Sequence, residues 1–258
     1  MAENQLLCER FRLDGVAIVT GASSGIGAHI TTLLASQGMT VFAAARRLDR
    51  LESLAGENSR IIPFRCDVGC DDDLRALASA AAERGPITVL VNNAGISDAV
   101  IRAEDQDPAQ FRNVVDINLN ATFVLSAAVA KFVIASGGTC SMVNIASIHG
   151  LVAGAPNAQA AYVASKAGVV GLTRELAGQW ARNGINVNAI APGYFHTELT
   201  DVMFASEDGG LRYIRRNTML GRPGELTELD GLVLLLSSQA GSYITGQTIP
   251  VDGGWTAR

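Results

Sequence analysis

Apolar positions along this chain follow two rhythms. Short β-branched runs recur at VAIVT (16–20), TVFAAA (40–45), RIIPF (60–64), TVLVNNAG (88–95), CSMVNIAS (140–147), INVNAIAP (185–192) and GQTIPV (246–251). Most are apolar without clean alternation, the pattern of strands buried on both faces. Between them, GIGAHITTLLASQG, DDDLRALASAAAERG and YVASKAGVVGLTRELAGQWARNG follow helical spacing. Each ends at Gly, a common helix stop. Strand–helix alternation over the whole length predicts an α/β fold, a mostly parallel sheet covered by helices on both faces. No repeat, low-complexity tract or linker divides the chain, so residues 1–258 read as one domain. One long stretch, 194–224, follows neither rhythm. Its aromatics and methionines read as a substrate lid within that domain.

Composition narrows the function classes. Of the 258 residues, 48% are hydrophobic and 17% charged, which is globular and excludes a disordered chain. The net charge of −5 disfavours nucleic acid or an anionic membrane as a partner. The amino terminus, MAENQLLCERFRLDG, has acids and no apolar core, so it does not read as a signal peptide. No apolar run reaches the ~18 residues of a membrane span. LSAAVAKFVIASGG comes nearest and is interrupted by Lys131, so a cytoplasmic protein is expected. Cys8, Cys66, Cys70 and Cys140 form no disulfide framework and read as reduced thiols. Three scattered histidines without matching carboxylates do not make a metal site.

The first strand runs directly into GASSGIG and a helix. Gly21, Gly25 and Gly27 let the chain turn sharply and let a pyrophosphate approach the backbone. A helix starting near Ser24 would aim free N–H groups at the same point. The spacing differs from G-x-G-x-x-G, and a tight turn without ligand is the competing reading. The strand before and the helix after favour the nucleotide. Tyr162 and Lys166 are four apart, so on a helix they share one face.

With these motifs the chain resembles the classical short-chain dehydrogenase/reductase family, from Gly15 to about Gly254. Within it, the chain is most similar to 3-oxoacyl acyl-carrier-protein reductases and gluconate 5-dehydrogenases. The resemblance implies a Rossmann-type, doubly wound sheet of about seven parallel strands, and a homotetramer or homodimer. It marks TGASSGIG as the cofactor loop, with Gly21, Ser23, Ser24, Gly25, Ile26 and Gly27. Asp67 and Val68 correspond to the adenine contact, and Asn93, Ala94 and Gly95 to the NNAG motif. Pro192, Gly193, Phe195 and Thr197 fall beside the nicotinamide, and residues 251–254 match the C-terminal signature. Asn118, Ser147, Tyr162 and Lys166 match the catalytic tetrad in order, the last two also touching cofactor. The Ser-to-Tyr span is two residues longer than the family commonly shows. Ser165 and Ser141 are weaker candidates than Ser147 because one lies inside a helix and the other starts a strand.

The resemblance implies that Tyr162 is the acid/base for interconverting a ketone and a secondary alcohol. A nearby ammonium is expected to pull its ~10 pKa down. Ser147 would hold the substrate oxygen, and Asn118 a water that relays protons from Lys166. Enzymes preferring NAD usually carry an acid at the end of the second strand. Here Ala45 stands there and Arg46 follows, which points to NADP(H) through a 2′-phosphate contact, with NAD(H) as the alternative. A solvated basic face of Arg46, Arg47 and Arg50 is the bland reading, and Ser24 occupies a loop position often basic in NADP-preferring relatives. His149 and His196 are expected near substrate, and His29 is expected to be structural. Asp71, Asp72 and Asp73 read as a helix start, Asp252 as a turn and Arg222 as fixing the lid's return. Trp180 and Trp255 read as core or interface residues. Arg212, Arg215 and Arg216 would suit an acidic carrier protein, or simply form a solvated face. A non-catalytic nucleotide-binding scaffold is the competing class, and an intact tetrad speaks against it. Extended-branch epimerases and enoyl reductases are disfavoured by the glycine and Tyr–Lys spacings.

Overall fold

The computed structural model describes residues 9–154, 158–198, 200–204 and 207–257. Cys8 and part of the 151–160 extension therefore lie outside the described residues. Seven strands form one parallel sheet: β1 (Val16–Thr20), β2 (Thr40–Ala45), β3 (Ile61–Arg65), β4 (Ile87–Asn92), β5 (Cys140–Ile145), β6 (Ile185–Pro192) and β7 (Thr248–Val251). Their order is β3-β2-β1-β4-β5-β6-β7. The order reverses between β1 and β4, and such a switch point opens a crevice at the carboxyl ends of the strands.

Side chains alternate between the faces of a strand, and here both faces are covered. On one side Ala17, Val19, Val89 and Val91 pack with Ile30 and Leu34 of helix α1 (Gly25–Ser36), Leu51 of α2 (Leu48–Glu57) and Val233 of α9 (Asp230–Ser237). On the other, Ile18, Leu90 and Met142 meet Leu74 and Leu77 of α3 (Asp71–Arg84), Leu125 and Val129 of α5 (Ala121–Ser136) and Leu176 of α6 (Ala160–Trp180). Both edge strands carry a proline, Pro63 in β3 and Pro250 in β7. Proline cannot donate to a ladder and is tolerated at an edge, where it also discourages further pairing.

Helix α4 (Pro108–Val115) begins with Asp107 accepting from the Ala109 N–H at 2.9 Å and Pro108 in its first turn. A π-helical turn, Asp116–Asn120, joins it to α5. The joined run Pro108–Ser136 is long and apolar enough to cross a membrane by length and composition. The expectation concerned an unbroken apolar run, and this one is interrupted by Arg112, Asp116 and Lys131. The run qualifies because the π turn fuses two helices, and α5 lays its apolar side on the sheet. The stretch 194–224 is less irregular than expected. It holds α7 (Asp201–Phe204) and α8 (Arg212–Asn217), and a parallel bridge between Phe195 and Gly224 ties its ends together.

Candidate active site

A cleft of about 680 Å³ opens at the switch point. Gly21, Ser23, Ser24, Gly25, Ile26, Arg46, Asp67, Val68, Asn93, Ala94, Gly95 and Thr197 line it. Gly21 takes φ 65°, a conformation glycine adopts without strain. Gly27 serves by packing instead. A Cβ there would sit 2.3 Å from the Gly21 carbonyl oxygen, so only glycine lets α1 start this close to the turn. Ser24 precedes α1 but caps none of its N–H groups, which leaves the first-turn amides available to an anion. Asn93 closes the other wall, donating from Nδ2 to the Thr20 carbonyl at 2.9 Å. Thr20 Oγ1 accepts from the Asn93 and Ala94 N–H groups at 3.0 Å each. The residues present fit a dinucleotide: first-turn amides left uncapped, glycines that let a ligand approach the backbone, and a cleft of several hundred Å³.

Asp67 accepts from the Gly69 N–H at 3.0 Å, and its own N–H donates to Asp73 at 2.8 Å. So Asp73 shapes the adenine-side loop, while Asp71 and Asp72 pair with Arg75. None of the three is the N-cap, a position held by Cys70. At the end of β2, Arg46 reaches the cleft, yet Arg47 is the guanidinium laid on the glycine loop. It donates to Ser23 Oγ at 3.0 Å and Ser24 Oγ at 2.8 Å. Arg47 and Arg50 also clasp Glu198, whose carboxyl they hold down at about 2. The basic face is thus partly engaged rather than merely solvated. From sequence Arg47 read only as part of a solvated basic face and Glu198 was not singled out, because a pair 151 positions apart leaves no local signal.

The tetrad residues converge at the carboxyl edge of β5. Ser147 ends the chain's run out of that strand, is buried, and hydrogen-bonds the Tyr162 phenol. Lys166 lies one turn along α6, with Nζ 5.8 Å from the Tyr162 ring centre. It is 4% exposed, donates to the Ile145 carbonyl at 2.7 Å, and burial pulls its ammonium down to about 8. The Tyr162 phenol is raised above its ordinary value, first by burial and then by the Asp98 charge, against the lowering hydrogen bond from Ser147. This differs from the expected lowering: burial of the phenol outweighs the hydrogen bond from Ser147, and Lys166 is itself desolvated. Asn118 sits in the π turn, a device common at functional sites. Its side chain is committed to the Ile96 backbone at 2.8 and 2.9 Å and to Ser165 Oγ at 2.9 Å. Ser165 is therefore a brace, and Ser141 stays in its strand.

Gly150, not singled out from sequence, completes the packing. A Cβ there would stand 2.7 Å from the Lys166 carbonyl oxygen, so glycine lets the turn after Ser147 lie on α6. His149 is buried beside the tetrad, edge-on to the Tyr162 ring and 3.2 Å from the Tyr194 hydroxyl. Burial lowers its pKa, so it is neutral, and its Nδ1 has no partner among the described residues. His196 behaves otherwise. It is exposed, pairs with Asp201 at 3.4 Å and meets Phe204 edge-on, so its contacts lie away from the tetrad.

Pro192, Gly193 and Phe195 stand outside the residues that line this cleft, as do Ser147, Tyr162 and Lys166. Pro192 ends β6, and Phe195 is buried in the core beneath it. Trp255 packs on Tyr194 and Tyr213, and Trp180 on the α3–α5 side of the core. Arg222 grips Glu228 with both nitrogens, at 2.8 and 2.7 Å, and fixes the return of the 194–224 stretch. Asp252 accepts from the Gly254 and Thr256 N–H groups and so organises its turn. His29 bonds Asp230 at 2.6 Å, joining α1 to α9. Cys66 and Cys140 are buried free thiols, each pushed up to about 12 by burial, and Cys70 is exposed. Among the described residues no cluster suits a metal ion.

Comparison with known proteins matches this geometry. The family model described as Enoyl-(Acyl carrier protein) reductase covers residues 21–256. The chain is 37% identical to 2-dehydro-3-deoxy-D-gluconate 5-dehydrogenase of Escherichia coli, over 98% of this chain and 100% of that one. It is 38% identical to the L-tagatose-forming galactitol 2-dehydrogenase of Cereibacter sphaeroides, over 95% and 97%. A solved structure of gluconate 5-dehydrogenase from Burkholderia cenocepacia, in complex with NADP and tartrate, superposes with a TM-score of 0.91. Identity there is 32%, covering 98% of this chain and 99% of that one. With seven parallel strands in the order 3-2-1-4-5-6-7 and a match over nearly its whole length, the chain belongs to the classical short-chain dehydrogenase/reductase family, enzymes of CH–OH oxidation and its reverse with NAD(P).

Proposed function

We propose that the protein interconverts a secondary alcohol and a ketone on a hydroxyl-rich small molecule, a polyol or sugar acid, with NADP(H), and that Tyr162 is the acid/base. The carrying observation is the Ser147–Tyr162–Lys166 group at the carboxyl edge of β5, with Ser147 and Lys166 buried and Tyr162 half-buried, beside a cleft fitted to a dinucleotide. A bound nicotinamide supplies the hydride acceptor or donor. The chain's own residues handle the proton and the orientation. In oxidation, the Tyr162 phenolate takes the alcohol proton, and in reduction the phenol returns it to the carbonyl oxygen. Ser147 donates to that same oxygen and fixes its distance from the phenol. Lys166 favours the phenolate by its charge when protonated.

His149 is buried beside Tyr162 and held at Nε2 by Tyr194, which fixes a polar side chain next to the reacting group. The relatives named for gluconate derivatives and galactitol support a hydroxyl-rich substrate over an acyl thioester. Arg46 and Arg47 at the cleft support a 2′-phosphate contact, as does Ala45, which offers no carboxylate to a ribose 2′-hydroxyl. Exposed Phe111, Phe123 and Phe132 on α4 and α5 support a homo-oligomer, a dimer or tetramer. The test is cofactor turnover against polyols, sugar acids, β-ketoesters and acyl thioesters, with NADP(H) and NAD(H) in parallel. Highest kcat/KM on a polyol or sugar acid with NADP(H) is expected. Thioester preference or tighter NAD(H) use overturns the finer reading.

A further inference from the structure

Helix α6 carries Tyr162 and Lys166, yet nothing in its own sequence fixes where it starts. Its N-cap, Gln159, makes no side-chain cap. The described residues between Gly150 and Ala160 form neither helix nor strand. The missing cap comes from elsewhere. Asp98, on the loop that leaves β4 through the NNAG motif, is 8% exposed. Its Oδ2 accepts from the Ala161 N–H at 3.1 Å and its Oδ1 from the Tyr162 N–H at 3.2 Å. Gln106 holds it from behind, donating from Nε2 to Oδ2 at 2.8 Å. A buried carboxylate on two first-turn amides is favoured by the helix dipole and satisfies donors that would otherwise be orphaned.

Three further bonds stitch the same two segments. The Gln159 amide donates to Ser97 Oγ and, at 3.1 Å, to the Asp98 carbonyl. The Ile101 N–H donates to the Ala158 carbonyl at 3.0 Å. The loop is pinned at its other end too, where Ile96 exchanges two bonds with Asn118. Asn118 in turn bonds Ser165 on α6. The contacts form a closed circuit from Asn118 through Ile96 and Asp98 to Tyr162 and back through Ser165.

We propose that Asp98 is a positioning residue for the reaction: by capping α6 from the β4 loop it sets the height of the Tyr162 hydroxyl relative to Ser147 and Asn118. This rests on the reading of Tyr162 as acid/base. A misplacement of about 1 Å costs an enzyme on the order of a hundredfold, so a carboxylate that never touches substrate governs turnover. It also leaves an electrostatic mark. The groups facing the Tyr162 ring are Lys166 on its own helix, His149 and Ser147 on the turn after β5, and Asp98 from the β4 loop. Of these, Asp98 alone is an anion, and it opposes phenolate formation.

The test is Asp98→Asn in the full-length protein, with Asp98→Glu as the conservative variant. Oxidation kinetics are followed against pH, alongside cofactor affinity. Tyrosinate absorbance is titrated as the difference from Tyr162→Phe. Expected for Asp98→Asn are a kcat lower by about tenfold or more and cofactor Kd within about twofold of the parent. The Tyr162 titration should move about half a pH unit or more to lower pH. Asp98→Glu should restore the titration and part of kcat. An unmoved titration, or a kcat loss matched by an equal loss of cofactor affinity, overturns the proposal. Should Asp98→Asn not fold, Gln106→Leu takes its place. It keeps the charge and frees the carboxylate, and unchanged kcat there overturns the proposal. If Tyr162→Phe keeps its turnover, the acid/base reading fails by itself. The absorbance titration needs no substrate and still decides for or against Asp98.

Discussion

The two walls of the cleft are built by opposite means. The cofactor wall rests largely on backbone: a glycine turn between β1 and α1 with uncapped amides, braced by Thr20 and Asn93 at neighbouring strand ends. Its central turn, Gly21–Gly27, is continuous in sequence. The chemical wall is side chains. Ser147, Tyr162, Lys166 and Asn118 arrive from three parts of the chain and are fixed by bonds to Ile145, Ile96, Ser165 and Asp98. The cofactor wall tolerates side-chain changes and fails on added atoms. The chemical wall tolerates little and fails on lost ones.

The sharpest break in that comparison is Tyr162→Phe. Loss of one oxygen should lower kcat by about a thousandfold or more, given the ~10²–10⁴ reach of general acid–base catalysis. Cofactor affinity by fluorescence titration should stay within about twofold. In the parent, oxidation should rise with pH, because burial raises the phenol and the base form gains as protons leave.

Lys166→Met should lower kcat by about a hundredfold and yet raise stability near neutral pH. The sign follows from burial. The folded ammonium titrates near 8 against 10.5 unfolded, so between those values the unfolded chain binds more protons and stability climbs with pH. Below pH 8 the parent bears the full cost of a buried charge. Removing it should gain about 1–3 kcal/mol in denaturant unfolding, a gain that vanishes by about pH 10. A melting point that falls at pH 7 would contradict this.

On the cofactor wall, Gly27→Ala adds a Cβ 2.3 Å from the Gly21 oxygen. It should weaken cofactor binding by about tenfold or more and cost about 1–3 kcal/mol of stability. The kcat at saturating cofactor should change far less. Arg47→Ala and Arg46→Ala are the mildest probes. Each should reduce the NADP/NAD affinity ratio by about three- to tenfold, as expected for loss of a charge-assisted contact of ~1 kcal/mol. A ratio moved by neither variant would leave the 2′-phosphate reading without support.

Much of this was legible without coordinates. VAIVT followed by GASSGIG is a strand, a turn and a helix in unbroken sequence, so local stereochemistry identifies it. The Tyr162–Lys166 spacing reports one helix face for the same reason. His196 shows where such reading stops. Its place after Pro-Gly suggested substrate, but Asp201 and Phe204 hold it at the surface. Arg46 was chosen by position after β2, whereas it is Arg47 that turns onto the glycine loop.

The sequence by itself determined the order of elements, the strands buried on both faces, the phosphate turn and the Tyr–Lys helix face. Each follows from hydrophobic periodicity or from the stereochemistry of neighbouring residues. Only the tertiary structure decided that Asp98 caps the catalytic helix, that Arg47 meets Glu198, and that His149 bonds Tyr194. Those contacts join residues between 45 and 151 positions apart. A hydrogen bond at such separation exists only once the sheet has set its strand order, and no window of sequence encodes it.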